Sequence, residues 1–159
     1  MEPVTVTVTR SLRLPTSVDE AWSSLADAEG LSTWLAESVT LDHTTGSGEL
    51  RPGAAGVAVD GATVRRLVVT EVEAGRSIGF VWWDEAQPEQ ASVVTISLDE
   101  DDQLGTAITV TERLTGAAVA SVAAASVADL AAGDAIGAAW DRRLQSMLLG
   151  ASARTAALV

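Results

Sequence analysis

The sequence predicts an α+β domain in which a curved antiparallel sheet of six or seven strands wraps one long C-terminal helix centred on Trp140. Three observations predict it. The Val4 to Leu14 run and the stretch from Ser38 to Leu114 alternate apolar and polar residues with a period of two, in short runs separated by turn residues. Two short helical patterns lie between the first run and the rest. Only one later segment carries a helical stripe long enough to cover such a sheet, and an antiparallel sheet with an apolar face needs that face covered.

The elements follow in order. Val4, Val6, Val8, Leu12 and Leu14 share one face of the first strand, and Arg10 falls on that same face. Ser17 and Glu20 form a capping box that starts a helix expected to run to about Asp27, with Val18, Trp22 and Leu25 on one stripe. Glu29-Gly30 marks a turn, and Leu31 to Leu35, carrying Trp34, forms a second short helix. Val39 and Leu41 open a strand ending near Asp42-His43, and Thr44 to Gly48 is a hairpin turn. Glu49 to Val59, interrupted by Pro52, Gly53 and Gly56, is a bent or bulged strand. Asp60-Gly61 and Ala74-Gly75 are turns around a strand from Thr63 to Glu73. Ser77 to Trp83, Ser92 to Leu98 and Thr106 to Leu114 complete the sheet. Asp84 to Gln90 is a polar loop, and Asp99 to Asp102 is a solvated acidic loop tip. Gly116 to Ala132 is alanine-rich: a short helix, a loose insertion, or both. Asp134 caps the last helix, which runs to about Leu149 with Gly150 as its stop. Ile136, Trp140, Leu144, Met147 and Leu148 fall on one stripe. About sixteen helical residues span roughly 24 Å, enough to cross several strands about 4.8 Å apart.

Composition narrows the chemistry. The 159 residues suffice for one core, and 47% are apolar, so the chain is not a disordered polymer. The net charge of −12, with no lysine, argues against nucleic acid and against anionic lipid surfaces. No stretch has the strongly apolar length of a membrane span, and the N-terminus lacks a basic region followed by an apolar run, so a cytoplasmic protein is expected. With no Cys, no Lys, no Tyr and a single His43, the sequence excludes disulfides, thiolate nucleophiles, Schiff-base lysines and multi-histidine metal sites. No cofactor or metal is expected.

Several residues stand out. Trp22 and Trp34 are expected to pack the end of the sheet. Trp140 either lines a cavity or fills it. Trp82 and Trp83 are neighbours on one strand and point to opposite faces, so one is inward and the other outward, covered or part of a contact surface. Arg10 and Glu112 both fall on apolar faces, and a buried charge needs a partner. They form a structural ion pair, two charges at a wet cavity end, or a polar anchor for a ligand. His43 is solvated or caps the strand end, and its pairing with Asp42 is geometrically poor. Asp84-Glu85 and Asp99 to Asp102 lack the spacing of a calcium loop. Arg65-Arg66 and Arg142-Arg143 are too few to make a basic patch, and the GSGE run at Gly46 has no strand-to-helix setting for phosphate.

The segments RSLRLPTSVDEAWSSLADAEGLSTWL (Arg10 to Leu35), VTEVEAGRSIGFVWW (Val69 to Trp83), LGTAITVTE (Leu104 to Glu112) and AWDRRLQSML (Ala139 to Leu148) resemble the START-like (SRPBCC) superfamily. The nearest branch in appearance is the activator of heat-shock-protein-90 ATPase homologue family. The resemblance spans nearly the whole chain, and 1–159 is expected to form one START-like domain with 116–132 as an insertion or lid. It implies a helix-grip fold with an apolar cavity between the long helix and the concave sheet. It does not imply one activity, because relatives include carriers, cyclases, hydrolases and co-chaperone domains.

The first functional expectation is binding of a small lipophilic molecule in that cavity. Its candidate residues are Trp140, Leu144, Ile136, Arg10, Glu112, Trp82, Trp34 and Val110. The second is a protein–protein module, co-chaperone-like or a homodimer, using an exposed Trp82 or Trp83. The third, disfavoured by the sparse catalytic inventory, is an enzyme of cyclase or hydrolase type with Glu112, an Asp or His43 as base.

Overall fold

Alternating side chains set the strands, and their pairing builds a single sheet. A computed structural model describes residues 7–42, 50–88, 91–101, 105–114 and 136–150. The strands are β1 (Thr7–Leu14), β2 (Ser38–Asp42), β3 (Ala55–Asp60), β4 (Thr63–Glu73), β5 (Ser77–Asp84), β6 (Ser92–Glu100) and β7 (Thr106–Leu114). They lie in the order β1-β7-β6-β5-β4-β3-β2, a seven-stranded sheet. Every neighbouring pair is antiparallel. From β2 to β7 each strand pairs with the next, and β1 pairs with β7. Gly61 (φ 57°) and Gly75 (φ 77°) occupy the left-handed conformation that the tight turns on either side of β4 require.

The sheet is curved, and its two faces differ. The register of β4 against β5 slips between Val69 and Glu71, an irregularity of the kind that bends a strand and sharpens its twist. Leu67, Val69, Ile78, Phe80, Trp82, Val94, Ile96, Leu98, Ile108 and Val110 are all buried on the concave side. A C-terminal helix, α3 (residues 136–150), covers that side. Its Trp140, Leu144 and Met147 are buried in the same core, with Ile136 and Leu148 packed partly against it. The helix stripe and the inward parity of the strands are therefore those expected from the sequence.

Near the N-terminus the helices are shorter and displaced. α1 (Val18–Trp22) begins with Ser17 as N-cap, whose side chain accepts from the Glu20 N–H at 3.2 Å, but it ends five residues before the expected Asp27. Two polar contacts explain the stop. The Ser23 hydroxyl donates to the Glu20 carbonyl, and the Ser24 carbonyl accepts from the Trp34 indole at 2.9 Å instead of extending the helix. Asp27 then acts as N-cap of α2 (Ala28–Leu31), accepting from the Gly30 N–H at 2.7 Å, so the second helix starts three residues before the expected Leu31. At the other end of the sheet, Asp99 and Glu100 extend β6 rather than forming a loop tip, and Asp101 forms an ion pair with Arg13. His43, Thr44 to Gly48, Gly116 to Ala132 and Asp134 lie outside the described residues.

The close approach of α2 to α1 gives a testable cost. A Cβ at Gly30 would collide with the Ser23 carbonyl, which is backbone, whereas a Cβ at Gly61 meets nothing within 4 Å. Gly30→Ala is expected to destabilise by about 2 kcal/mol through overpacking, and Gly61→Ala by about 1 kcal/mol through its left-handed backbone alone. Urea melts of both variants check the order, and a larger loss at Gly61 contradicts the packing of these helices.

Candidate functional site: a buried carboxylate beneath stacked tryptophans

Glu112 points inward because it shares strand parity with Thr106, Ile108 and Val110, all buried. It is 7% exposed. Trp82 of β5 donates its indole N–H to Glu112 Oε2 at 3.0 Å, and the Ser92 hydroxyl of β6 donates to the same oxygen. Trp140 of α3 donates to Oε1 at 2.8 Å. Three donors from three elements therefore meet one side chain, and both carboxylate oxygens are used. The helix is fastened to the sheet at this point.

The rings align accordingly. Trp82 and Trp140 stack with centroids 5.7 Å apart at 27°, Trp34 tilts against Trp140 at 6.5 Å, and Phe80 meets Trp82 edge-on at 5.4 Å. Trp82 is inward, and Trp83 is on the opposite, outer face and half-buried. Trp140 has no exposed surface, so between lining space and filling it, it fills.

Two arginines complete the cluster. The Arg143 guanidinium lies 4.6 Å from the Trp140 ring centre and 5.1 Å from that of Trp82, and Arg65 lies 4.9 Å from Trp82. Arg143 Nε donates to the Leu35 carbonyl at 3.0 Å, and its Nη2 is 3.9 Å from Asp60, beyond direct hydrogen bonding. Burial, and then the nearby charge of Arg65, lower the Arg143 pKa to about 10, with Glu112 and Asp60 acting in the opposite direction. The group therefore stays cationic at neutral pH while sitting in a place that disfavours its charge.

The expected pairing of Arg10 with Glu112 is not what the structure contains. The two share the concave face on adjacent strands, where Val8 is opposite Glu112 and Arg10 is opposite Val110. Arg10 turns instead to Asp141 of α3 at 3.2 Å and lies over Gly137, and its side chain is 40% exposed. A partly wet arginine gains more from an aspartate on the helix surface than from a carboxylate already saturated with donors. Of the other candidates, Leu144 and Val110 are buried beside the tryptophans' core, Ile136 packs at its margin, and Trp34 is 4% exposed. Ser92, Arg65, Arg143 and Asp141 were not singled out from the sequence as site residues. Strand parity carried a signal for two of them: Ser92 shares a face with Val94 and Ile96, and Arg65 with Leu67 and Val69. Arg143, three residues after Trp140, shares its helix face.

Beside the cluster, a groove of about 330 Å³ opens between α3 and the turn after α2. Trp34, Leu35, Ala36, Ala139, Arg142 and Arg143 line it, with Glu37 and Asp60 also on its wall. Among the described residues no group of three or more His, Asp or Glu is placed to hold a metal ion, and no helix is long and apolar enough to cross a membrane.

A curved antiparallel sheet gripping a C-terminal helix, with two short helices after the first strand, defines the START-like helix-grip class. The chain belongs to the family described as Activator of Hsp90 ATPase homolog 1-like protein, whose model matches residues 15–147. Solved structures share the fold. The MLL2253 protein of Mesorhizobium loti is 16% identical with a TM-score of 0.70, over 94% of this chain and 98% of that one. CalU16 from Micromonospora echinospora is 18% identical with a TM-score of 0.63, over 96% and 88%. DynU16, a protein of the dynemicin biosynthetic locus, is 18% identical with a TM-score of 0.64, over 89% of this chain but 45% of its own, so the chain spans less than half of DynU16's length. Identities this low show the fold alone. No curated protein sequence matches the chain.

Two substitutions test the cluster. Glu112→Leu leaves two indole N–H groups and a hydroxyl without their acceptor and is expected to destabilise by about 3–5 kcal/mol, as the loss of one partner of a buried charged network does. Arg143→Met keeps apolar bulk against the rings while removing a poorly solvated charge, so it is expected to cost under about 1 kcal/mol, against about 2 kcal/mol or more for Arg143→Ala. Chemical denaturation measures both, and an Arg143→Met loss equal to that of Arg143→Ala contradicts the assignment of its role to packing.

Proposed function

We propose that the chain binds a small lipophilic molecule at the junction of α3 and the sheet. The groove beside Trp34 carries this reading. Its volume of about 330 Å³ falls at the lower end of small-ligand pockets, about 300–1,000 Å³. Its walls set the Trp34 indole and the aliphatic Leu35, Ala36 and Ala139 among more numerous polar and charged side chains, so a ligand's apolar part rests on Trp34 and its polar part meets the rim. The fold supports the reading too, because proteins of this class commonly enclose lipophilic ligands.

The ligand occupies the groove against Trp34, at the open end of the Trp34–Trp140–Trp82 series. Penetration deeper requires α3 to swing outward, because Trp140 has no exposed surface. Leu144 and Val110 then form the floor, Glu112 stays at the centre as the fixed acceptor, and Ile136 and Arg10 close the far end of the helix. Binding is non-covalent, and a carboxylate engaged by three donors is ill-suited to act as a base.

Tryptophan emission tests the proposal. Titration with decanol, farnesol and 1-naphthol is expected to give a saturable change for at least one of them, and Trp34→Leu is expected to weaken that binding about tenfold. No saturable change with any of the three rejects the reading.

A further inference from the structure

We infer that the groove selects amphiphiles bearing a carboxylate, which docks on the outward-facing donors of Arg143 with Arg142 beside it and Arg65 behind. The inference rests on the lipophile reading above and names the chemistry of the ligand's polar end. Its basis is an accounting of the Arg143 guanidinium. Only 11% of that side chain is exposed, and a guanidinium carries five N–H donors. Nε donates to the Leu35 carbonyl, the Trp140 and Trp82 ring centres lie 4.6 Å and 5.1 Å from the guanidinium, and Asp60 is too distant for a direct hydrogen bond. Among the described residues the Nη groups have no acceptor. Buried donors are normally paired, so an arginine left in this condition on the wall of a groove is a donor set awaiting a ligand.

The shape of the group favours a carboxylate, since the planar fork accepts two parallel N–H···O bonds with one. The surrounding charge favours a monoanion. Arg142 lines the same groove, and among the described residues neither Arg142 nor Arg65 has a carboxylate within ion-pairing distance. Arg65 is near enough to raise the local positive potential at Arg143. Glu37 and Asp60 in the same lining, Asp60 only 3.9 Å from Arg143 Nη2, and a chain carrying −12 overall oppose a second negative charge. Trp34, with Leu35 and Ala139, supplies the surface for the apolar tail.

A matched pair of probes separates this inference from the reading it rests on. Isothermal titration of the full chain with decanoate and with decanol measures the preference for the charged head. The wild-type chain is expected to bind decanoate about tenfold more tightly, a step typical of a charge-assisted hydrogen-bonded pair. In Arg143→Met, which is expected to keep the fold, the ratio of the two affinities is expected to fall to near one. Arg142→Gln alone, a change at an exposed rim position, is expected to reduce it about threefold. Decanol bound as tightly as decanoate, or a preference that survives Arg143→Met, overturns the inference while leaving the lipophile reading standing. Binding of neither probe overturns both.

Discussion

Moving a carboxylate from water into a protein interior costs several kcal/mol unless new hydrogen bonds replace the old ones, and Glu112 meets that constraint with donors from β5, β6 and α3. Little else in the described residues joins the last helix to the sheet through polar contacts. Arg10 to Asp141 fastens one side of the helix to β1, Arg143 to the Leu35 carbonyl ties the other side to the turn after α2, and Trp140, which reaches Glu112, lies between them on the helix surface. Because both of its oxygens are committed, the indoles of Trp82 and Trp140 are fixed in plane and the two rings stack. That stack is in turn what receives the arginines. One inward-pointing acid thereby dictates ring orientation, cation placement and the seat of the helix.

This arrangement gives the interior a polar spine inside an apolar shell. Hydrophobic burial supplies the driving force without choosing a geometry. The hydrogen-bonded centre selects one, since rotating either tryptophan away leaves donors and acceptor unpaired in a medium where that is costly. It also separates two roles along one helix. Trp140 and Leu144 fill, whereas Arg142 and Arg143, a turn apart from Trp140 or less, face the groove where space remains. A ligand can therefore be held at the edge of the core without the core being hollow.

Much of the fold was legible because period-two alternation survives even where single residues are unusual. The bounds of β4 and β7 match the expected strands, and the inward parity of Glu112 and Arg10 is as read from sequence. Partnership was not legible. Parity states which face a side chain takes, but not which side chain of another element arrives opposite it, and the rotation of α3 brings Trp140 to Glu112 and Asp141 to Arg10. The short helices were misplaced for a related reason. Whether Ser24 continues a helix depends on an indole ten residues later claiming its carbonyl, a tertiary contact that no local pattern encodes. Arg143 was hidden by composition, since two adjacent arginines in an acidic chain look like a solvated surface until the ring faces around them are seen.

Hydrogen exchange at the indole nitrogens tests the central role of Glu112 most directly. The chain has five tryptophans, each with a separate indole N–H resonance. Trp82 and Trp140 donate to Glu112 and Trp34 to the Ser24 carbonyl, so these three signals should exchange slowly, while those of the half-buried Trp22 and Trp83 exchange rapidly. In Glu112→Gln the amide keeps one acceptor oxygen, so one of the Trp82 and Trp140 signals should lose protection while the other keeps it, with Trp34 unchanged. Rapid exchange at Trp82 and Trp140 in the unaltered chain would contradict the account.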